Sequence, residues 1–497
     1  MSAEQKKKRF LFTELAPNVL PKHLLTFYFA AFITIGLAVL LNVLQPFLLE
    51  AFLQIPREQQ GEVTGISTVV GEIVLLCTIG AWGAASDRVG RRLVYVLGIA
   101  IVGIAYAVHP YVSTAIHLYV IRGVYALGMA AASGMLATLV GDYVVNRDRG
   151  KANGIMGVCN AAGAALAAVL LVKLPVKFRE DFIAAGMEPA EAATTAGWNT
   201  YVYVAIGCLV CAVVLRIGLR PPQAASQGSE RIPFVERMKA GWIEAKNDKG
   251  TALSYVTAFV ARADLAIAGL FLPLWCSRYL QETPQALTTL KKFQCVEGTE
   301  GVCKDAAGAI CAPGTDGCLI AEGSLNALSC MSDGICLSLS GMERGGILIA
   351  MLGAGSLLAA PFIGILTDKI HRVNAVAIAL SMNAIGYGLT YFANDPFSTS
   401  VLFVAMIIGA GEVAGVISTQ SLIQQQAPSK NRGSVIGFFS FCGGLGILVN
   451  SMIGGKLFDA VSFTAPFVWL AGLNVVVVVM CLVMKKHVQA PEAADAA

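Results

Sequence analysis

An all-α polytopic membrane protein, with twelve transmembrane helices in two pseudo-symmetric six-helix bundles, is the fold class this sequence predicts. Three observations lead there. A chain of 497 residues that is 56% hydrophobic and only 14% charged, with a mean hydropathy of +0.68, carries more apolar surface than a soluble core can hide. Runs of about 20 apolar residues, enough to cross a hydrocarbon layer about 30 Å thick, occur twelve times. Finally, Gly83-Ala84-Ala85-Ser86-Asp87-Arg88-Val89-Gly90-Arg91-Arg92 returns 281 residues later as Gly364-Ile365-Leu366-Thr367-Asp368-Lys369-Ile370-His371-Arg372, each copy at the end of an apolar run. A glycine, an acid four residues on, then clustered positive charge, met twice, marks an internal duplication.

The first six runs lie near 25–50, 62–85, 93–111, 117–141, 152–174 and 199–217. The second six lie near 251–279, 345–367, 373–393, 398–425, 433–455 and 465–484. This divides the chain into an N-terminal bundle over 1–217, a linker over 218–250 and a C-terminal bundle over 251–497. Lys and Arg are retained on the cytoplasmic side of a membrane. With both termini inside, most of the 36 fall in inside segments, so cytoplasmic termini are expected. The Lys6-Lys7-Lys8-Arg9 run is not followed by a short apolar segment with a small-residue cleavage site, so the first span is expected to stay. The linker opens with Arg220-Pro221-Pro222 and continues as a basic amphipathic stretch around Arg231, Arg237, Lys239 and Lys246. It reads as a solvated tether with a helix at the cytoplasmic surface.

The chain resembles the major facilitator superfamily of secondary transporters over essentially its whole length. Gly83, Asp87, Arg88, Gly90, Arg91 and Arg92 match that family's signature loop between the second and third spans. Asp368, Lys369 and Arg372 form a weaker second copy, with His371 where the pattern has glycine. Arg149, Gly150 and Gly154, opening the fifth span, answer Arg432, Gly433 and Gly437, opening the eleventh, at an offset of 283, and Gly128 answers Gly409 at 281. The resemblance implies two bundles rocking around a site near the bilayer midplane. An acid at one helix end facing basic residues of a neighbour makes charge-assisted hydrogen bonds where water is partly excluded. The signature charges, with Arg149 and Arg432, are therefore expected to clasp the cytoplasmic face shut; a plain topology signal would account for the arginines but not for the spaced Gly83, Asp87 and Gly90.

Ionisable residues within hydrocarbon are costly and face the bundle interior or a water-filled cavity. Glu72 lies midway along the second span, Arg122 in the outer part of the fourth, Arg262 and Asp264 in the middle of the seventh and Glu412 within the tenth. None lies in the third, sixth, ninth or twelfth span, the peripheral helices of the family the chain resembles. Arg262 and Asp264, two residues apart, lie about 200° apart around a helix. One is expected to face the solute path and the other a neighbouring helix. Arg122 stands where the family often has an arginine, with Ala126 replacing the family's glycine; Glu72 or a backbone carbonyl is its expected partner. Asn42 and Gln45, three apart on the first span, share a face and offer hydrogen bonds to a solute or to a neighbouring helix. All five histidines lie at or beyond span ends, so coupling to protons is expected to run through Glu72, Asp264 or Glu412, with Glu412, alone in its span, foremost. The competing reading holds these acids permanently ionised beside arginines.

Residues 280–344, outside by this topology, hold Cys295, Cys303, Cys311, Cys318, Cys330 and Cys336, six of thirteen cysteines. In a segment of Gly, Ala, Asp and Ser with almost no aromatics they read as three disulfides replacing a hydrophobic core. Metal binding is disfavoured by the absence of a CxxC pair or nearby histidine. No phosphate loop, zinc spacing or nucleophile constellation occurs, so no enzyme, cofactor or metal is expected. The fifth span lacks the glycine-proline pattern of many drug/proton antiporters, and sugar-porter motifs are missing too. The expected function is transport of a small organic solute, coupled to protons, by a monomer in the inner membrane. Its expected partners are the lipid bilayer, the solute and protons, with no nucleic acid. The alternative is a transporter-derived receptor or assembly protein whose outer loop binds an extracytoplasmic partner.

Overall fold

A computed structural model of the chain describes residues 9–10, 13–145, 148–221, 234–283, 286, 302–304, 319–321, 334–427 and 432–488. Twelve of its helical segments are long and apolar enough to cross a membrane. Spans 1 to 6 are Pro21–Ala51, Arg57–Gly83, Arg91–Tyr111, Ala115–Val140, Ala152–Ala184 and Pro189–Gly218. Spans 7 to 12 are Lys249–Glu282, Ile335–Thr367, Arg372–Phe392, Thr399–Gln426, Ser434–Ala460 and Ala465–Met484. Because the count is even, both ends of the helical bundle lie on one face, called here the terminal face; the other is the loop face.

Two spans begin about ten residues earlier than hydropathy placed them, which shortens the predicted outer loop to the residues between Glu282 and Gly334. Span 6 starts on Pro189, whose fixed φ suits the first helical turn. Span 8 starts before Glu343 and Arg344, two charges that depress the hydropathy there. Arg344 is accommodated by donating to the carbonyls of Pro396 (3.0 Å) and Ser398 (2.9 Å). Span 7 is capped by Asp248, whose carboxylate accepts the Thr251 N–H at 2.5 Å.

Within the N-terminal half, span 1 packs on span 5, span 2 on span 4 and span 3 on spans 4 and 6. In the C-terminal half, span 7 packs on span 8, span 8 on span 10 and span 9 on spans 10 and 12. The halves meet along spans 2 and 11 and along spans 5 and 8.

The two copies of the signature loop reach the same turn differently. Gly90 holds φ at 91°, a left-handed value that favours glycine, between the helices of spans 2 and 3. Its counterpart His371 has φ −55° and caps span 9 instead, its Nδ1 accepting the Val373 N–H at 3.3 Å. Histidine is therefore compatible with the fold at the second position and not at the first.

On the terminal face the segment before span 1 docks against the loop after span 4. Strands Arg9–Phe10 and Thr13–Glu14 pair antiparallel, Leu15 bridges to Val144, and the Glu14 N–H donates to Asp148 at 2.9 Å. Nearby, the hydroxyl of Tyr143 accepts the Arg220 N–H at 3.0 Å, and burial pushes that phenol up to about 12. The linker corrects an expectation: its helix, Phe234–Asn247, is not a solvated tether. Trp242 packs beside Phe438 of span 11, Gly241 lies against Phe438 and Ser434, and the Tyr255 hydroxyl of span 7 donates to the Gly241 carbonyl at 3.1 Å. The amphipathic pattern serves docking onto the C-terminal bundle.

Candidate functional site

The bundles close together on the loop face. A Cβ at Gly65 of span 2 would sit 2.5 Å from the Ser451 carbonyl oxygen of span 11, and one at Gly455 would sit 2.5 Å from the Gly61 carbonyl oxygen. Gly346 of span 8 meets the Ala168 carbonyl of span 5, inside the π-helical turn Ala167–Leu171. The cross-bundle hydrogen bonds among the described residues are at this same end. Asp459 accepts the N–H groups of Gly61 (3.0 Å) and Glu62 (2.7 Å), and Arg57 donates to the Gln281 carbonyl at 3.2 Å. Toward the terminal face, Cβ atoms at Gly80 and Gly83 of span 2 and at Gly154 and Gly157 of span 5 would meet nothing within 4 Å. The path between the bundles opens toward the terminal face.

At the depth where contact gives way to space, two adjacent glycines of span 11 seat two opposite charges. A Cβ at Gly444 would sit 2.8 Å from a carboxylate oxygen of Glu72, and one at Gly443 would sit 2.6 Å from Arg262 Cγ. Glu72 is half-buried and Arg262 exposed, one from each bundle, and Arg262 acts electrostatically on Glu72. Arg122 is buried at 8% exposure and donates to Asn42 Oδ1 at 2.7 Å, with its guanidinium 5.9 Å from the Tyr125 ring centroid. Its hydrogen-bond partner is thus a side-chain amide, neither Glu72 nor a backbone carbonyl. Asn42 and Gln45 separate: Asn42 meets span 4 and Gln45 meets span 2. Gln45 is buried and donates to Thr64 (3.0 Å) and Ser67 (3.3 Å) of span 2, which makes it an interhelical tie.

Asp264 points away from the path, fully buried among spans 7, 9 and 12. It accepts from Asn383 Nδ2 (2.8 Å) and from Asn474 Nδ2 (2.9 and 3.1 Å). The Tyr387 hydroxyl lies 2.7 Å from the Asp264 main-chain carbonyl oxygen and 2.8 Å from Glu412 Oε1. Glu412 is 1% exposed, and its other oxygen has no partner. Neither acid has a basic partner among the described residues. Sequence reasoning missed Tyr387, Asn383 and Asn474, which are neutral and leave no charge signal. The offset of 281 between Tyr106 and Tyr387 was the available pointer.

At the terminal face the expected clasp is described only in part. Arg91 pairs with Asp142 at the end of span 4 and also donates to the Thr138 carbonyl at 3.2 Å. Arg372 makes the matching bond to the Ser421 carbonyl at 2.7 Å, and Arg92 reaches the Leu219 carbonyl at 3.5 Å. These ties join helices within a bundle. Arg88 and Lys369 are exposed, while the side chains of Asp87, Asp368, Arg149 and Arg432 lie outside the described set. Of the outer-loop cysteines, Cys336 is buried at the start of span 8 and disulfide-bonded. Cys295, Cys311, Cys318 and Cys330 lie outside the described residues, and so does the side chain of Cys303.

Residues 24–290 and 323–496 match the sequence model of the Major Facilitator Superfamily. The chain is 24% identical over 456 residues to the magnetosome protein MamH of Paramagnetospirillum magneticum, covering 90% of this chain and 89% of that one. To magnetosome protein MamZ of the same organism it is 26% identical over 450 residues, 88% of this chain and 58% of MamZ, so it spans little more than half of that relative. Among solved structures, the nucleoside transporter NupG superposes with a TM-score of 0.66 at 14% identity, over 93% of this chain and 99% of NupG. At that identity the likeness is one of fold.

Proposed function

The chain belongs to the major facilitator superfamily, and on that premise we propose that it is a secondary active transporter that moves a small organic solute by alternating access, coupled to protons. The observation that carries this reading is the asymmetry of the bundle interface. It is glycine-packed and hydrogen-bonded on the loop face, and open below Glu72, Arg262 and the Gly443-Gly444 seat. A path closed at one end and lined by facing charges is what a carrier presents between its two half-cycles. Arg262, Glu72, Arg122 and Asn42 are the groups we assign to the solute path. Glu412 and Asp264 we assign to the coupling proton, because an acid enclosed in hydrocarbon without a cation is otherwise hard to account for.

The terminal face is assigned to the cytoplasm by the distribution of Lys and Arg. The inner membrane is the assigned location; the names of MamH and MamZ make a magnetosome membrane the first alternative, and imaging a fluorescent fusion separates the two. A second reading, in which the outer loop docks an extracytoplasmic partner, rests on the six cysteines of that loop.

Purified protein screened by thermal shift against solute libraries should yield ligands that raise its melting temperature. In proteoliposomes such a ligand should accumulate only under a pH gradient. Equal accumulation with and without the gradient would leave a uniporter, and no movement of any stabilising ligand would overturn transport.

A further inference from the structure

The two halves of the chain can be compared with each other. In the N-terminal bundle Tyr106 of span 3 donates to the Leu37 carbonyl of span 1 at 2.8 Å, and its ring lies 6.3 Å from that of Tyr201 in span 6. In the C-terminal bundle Tyr387 of span 9 takes the same post against the Asp264 carbonyl of span 7, and stacks on Phe467 of span 12 at 6.2 Å and 5°. One tyrosine brace is thus built twice. The side chains around it differ. Leu37, Val102 and Cys208 stand where Asp264, Asn383 and Asn474 stand in the second copy; Val102 and Asn383 each precede the brace tyrosine by four residues, and Cys208 and Asn474 each follow the aromatic of the last span by seven. In the N-terminal half the three matched positions carry neither acid nor amide, and Tyr106 has Tyr125 and the buried His109 beside it instead, so the brace itself does not require the acid and two amides of the other half.

Hydrogen counting gives the second observation. The Tyr387 hydroxyl has one hydrogen and lies within bonding distance of two acceptors, the Asp264 carbonyl and Glu412 Oε1. Both contacts are hydrogen bonds only if one more proton is present, and of the groups in the chain only the Glu412 carboxyl can carry it. The chain then reads Glu412 O–H to Tyr387 Oη, and Tyr387 O–H to the Asp264 carbonyl. Span 7 contributes Asp264, clamped by Asn383 and Asn474. Span 8 presents Leu352, Gly355 and Ser356 to span 10, none of them charged. Arg344, the nearest arginine of that helix, is taken up by the Pro396 and Ser398 carbonyls. No cation among the described residues competes for the site.

We propose that Glu412 is the proton-carrying carboxyl of this protein, held with Tyr387, Asp264, Asn383 and Asn474 in a site enclosed within the C-terminal bundle and separate from the solute path. This rests on the reading of the chain as a proton-coupled carrier. The step is a proton transfer alone: the Glu412 carboxyl releases its proton to water, becomes a carboxylate, and the Tyr387 hydroxyl hydrogen turns from the Asp264 carbonyl to that carboxylate. Coupling to the path runs through span 7, which bears Asp264 on its buried side and, two residues away, Arg262 on the open side beside Glu72.

Infrared difference spectroscopy of the purified protein in H2O and D2O tests the site without a solute, the proton itself being the probe. A protonated-carboxyl stretch that shifts in D2O is expected in the wild type at neutral pH, lost in Glu412→Gln and retained in Glu72→Gln. Tyr387→Phe, whose phenyl keeps the brace filled, should keep the band and shift it. A band that survives Glu412→Gln, or is indifferent to Tyr387→Phe, overturns the proposal. In proteoliposomes Glu412→Gln should exchange solute at equal pH and lose accumulation driven by a pH gradient; retained accumulation overturns the coupling role. A wild-type protein that carries the band and moves no solute leaves the proton site standing and removes the transport reading.

Discussion

Asp459, near the loop-face end of span 11, accepts hydrogen bonds from the main-chain N–H groups of Gly61 and Glu62 at the start of span 2. The acid of one bundle thereby caps a helix of the other, where unsatisfied N–H groups and the helix dipole both favour negative charge. Separating the bundles on this face must expose those groups again.

Asp459→Ala should therefore release the loop face. A helix cap is worth about 1 kcal/mol, so the balance between closed and open forms should move about 5-fold toward open. Spin labels at Glu58 and Ser462, both exposed, would register a longer distance; an unchanged distribution would mean the cap does not help hold this face.

Gly65→Leu and Gly83→Leu should act in opposite directions. The first forces a side chain against the Ser451 carbonyl, an overpacking that costs about 1–3 kcal/mol and opposes closure of the loop face. The second enters open space here and is predicted to oppose closure of the terminal face when the bundles rock. Labelling of reporter cysteines on each face would separate the two, and identical behaviour of both variants would contradict rocking about this interface.

On the sequence expectation that Asp87 pairs with the signature arginines, Asp87→Asn should leave the fold intact and hold the terminal face open, since breaking a partly buried charge pair costs about 3–5 kcal/mol. Accessibility of cysteines placed at that end should rise. Unchanged labelling would return Arg88, Arg91 and Arg92 to the role of orientation signals.

Alkylation without reductant, read by mass spectrometry, should find Cys295, Cys303, Cys311, Cys318, Cys330 and Cys336 all blocked. Cys77, Cys159, Cys208, Cys211, Cys276, Cys442 and Cys481, each on a span and free, should be alkylated once the protein is unfolded. Free thiols at most of the first six, in protein taken directly from its membrane, would rule out the disulfide framework.

The twelve spans were legible because apolar runs and basic ends are strong, local signals. The starts of spans 6 and 8 were not, because Pro189 and Arg344 depend on helix geometry and on carbonyls of a distant loop. The opposed directions of Arg262 and Asp264 followed from helical spacing alone. Which one entered the path did not, since that is decided by Asn383 and Asn474 on other helices. Gln45 looked like a path residue because its tie to Thr64 and Ser67 depends on how span 2 packs against span 1, which composition does not announce.

The linker helix Phe234–Asn247 is fastened to spans 7 and 11 through Trp242, Gly241 and Tyr255. The polypeptide joining the halves is therefore shorter in effect than its count of residues, and its anchorage is one-sided. A protein divided just before Phe234 would keep that helix with its own bundle, and its two fragments would retain the glycine contacts and the Asp459 cap for reassembly as a complementing pair. Division after Asn247 would instead strip the cover from Phe438 and leave an apolar surface bare on one fragment. The first of these divisions falls in the Pro- and Ser-containing stretch that follows Arg220.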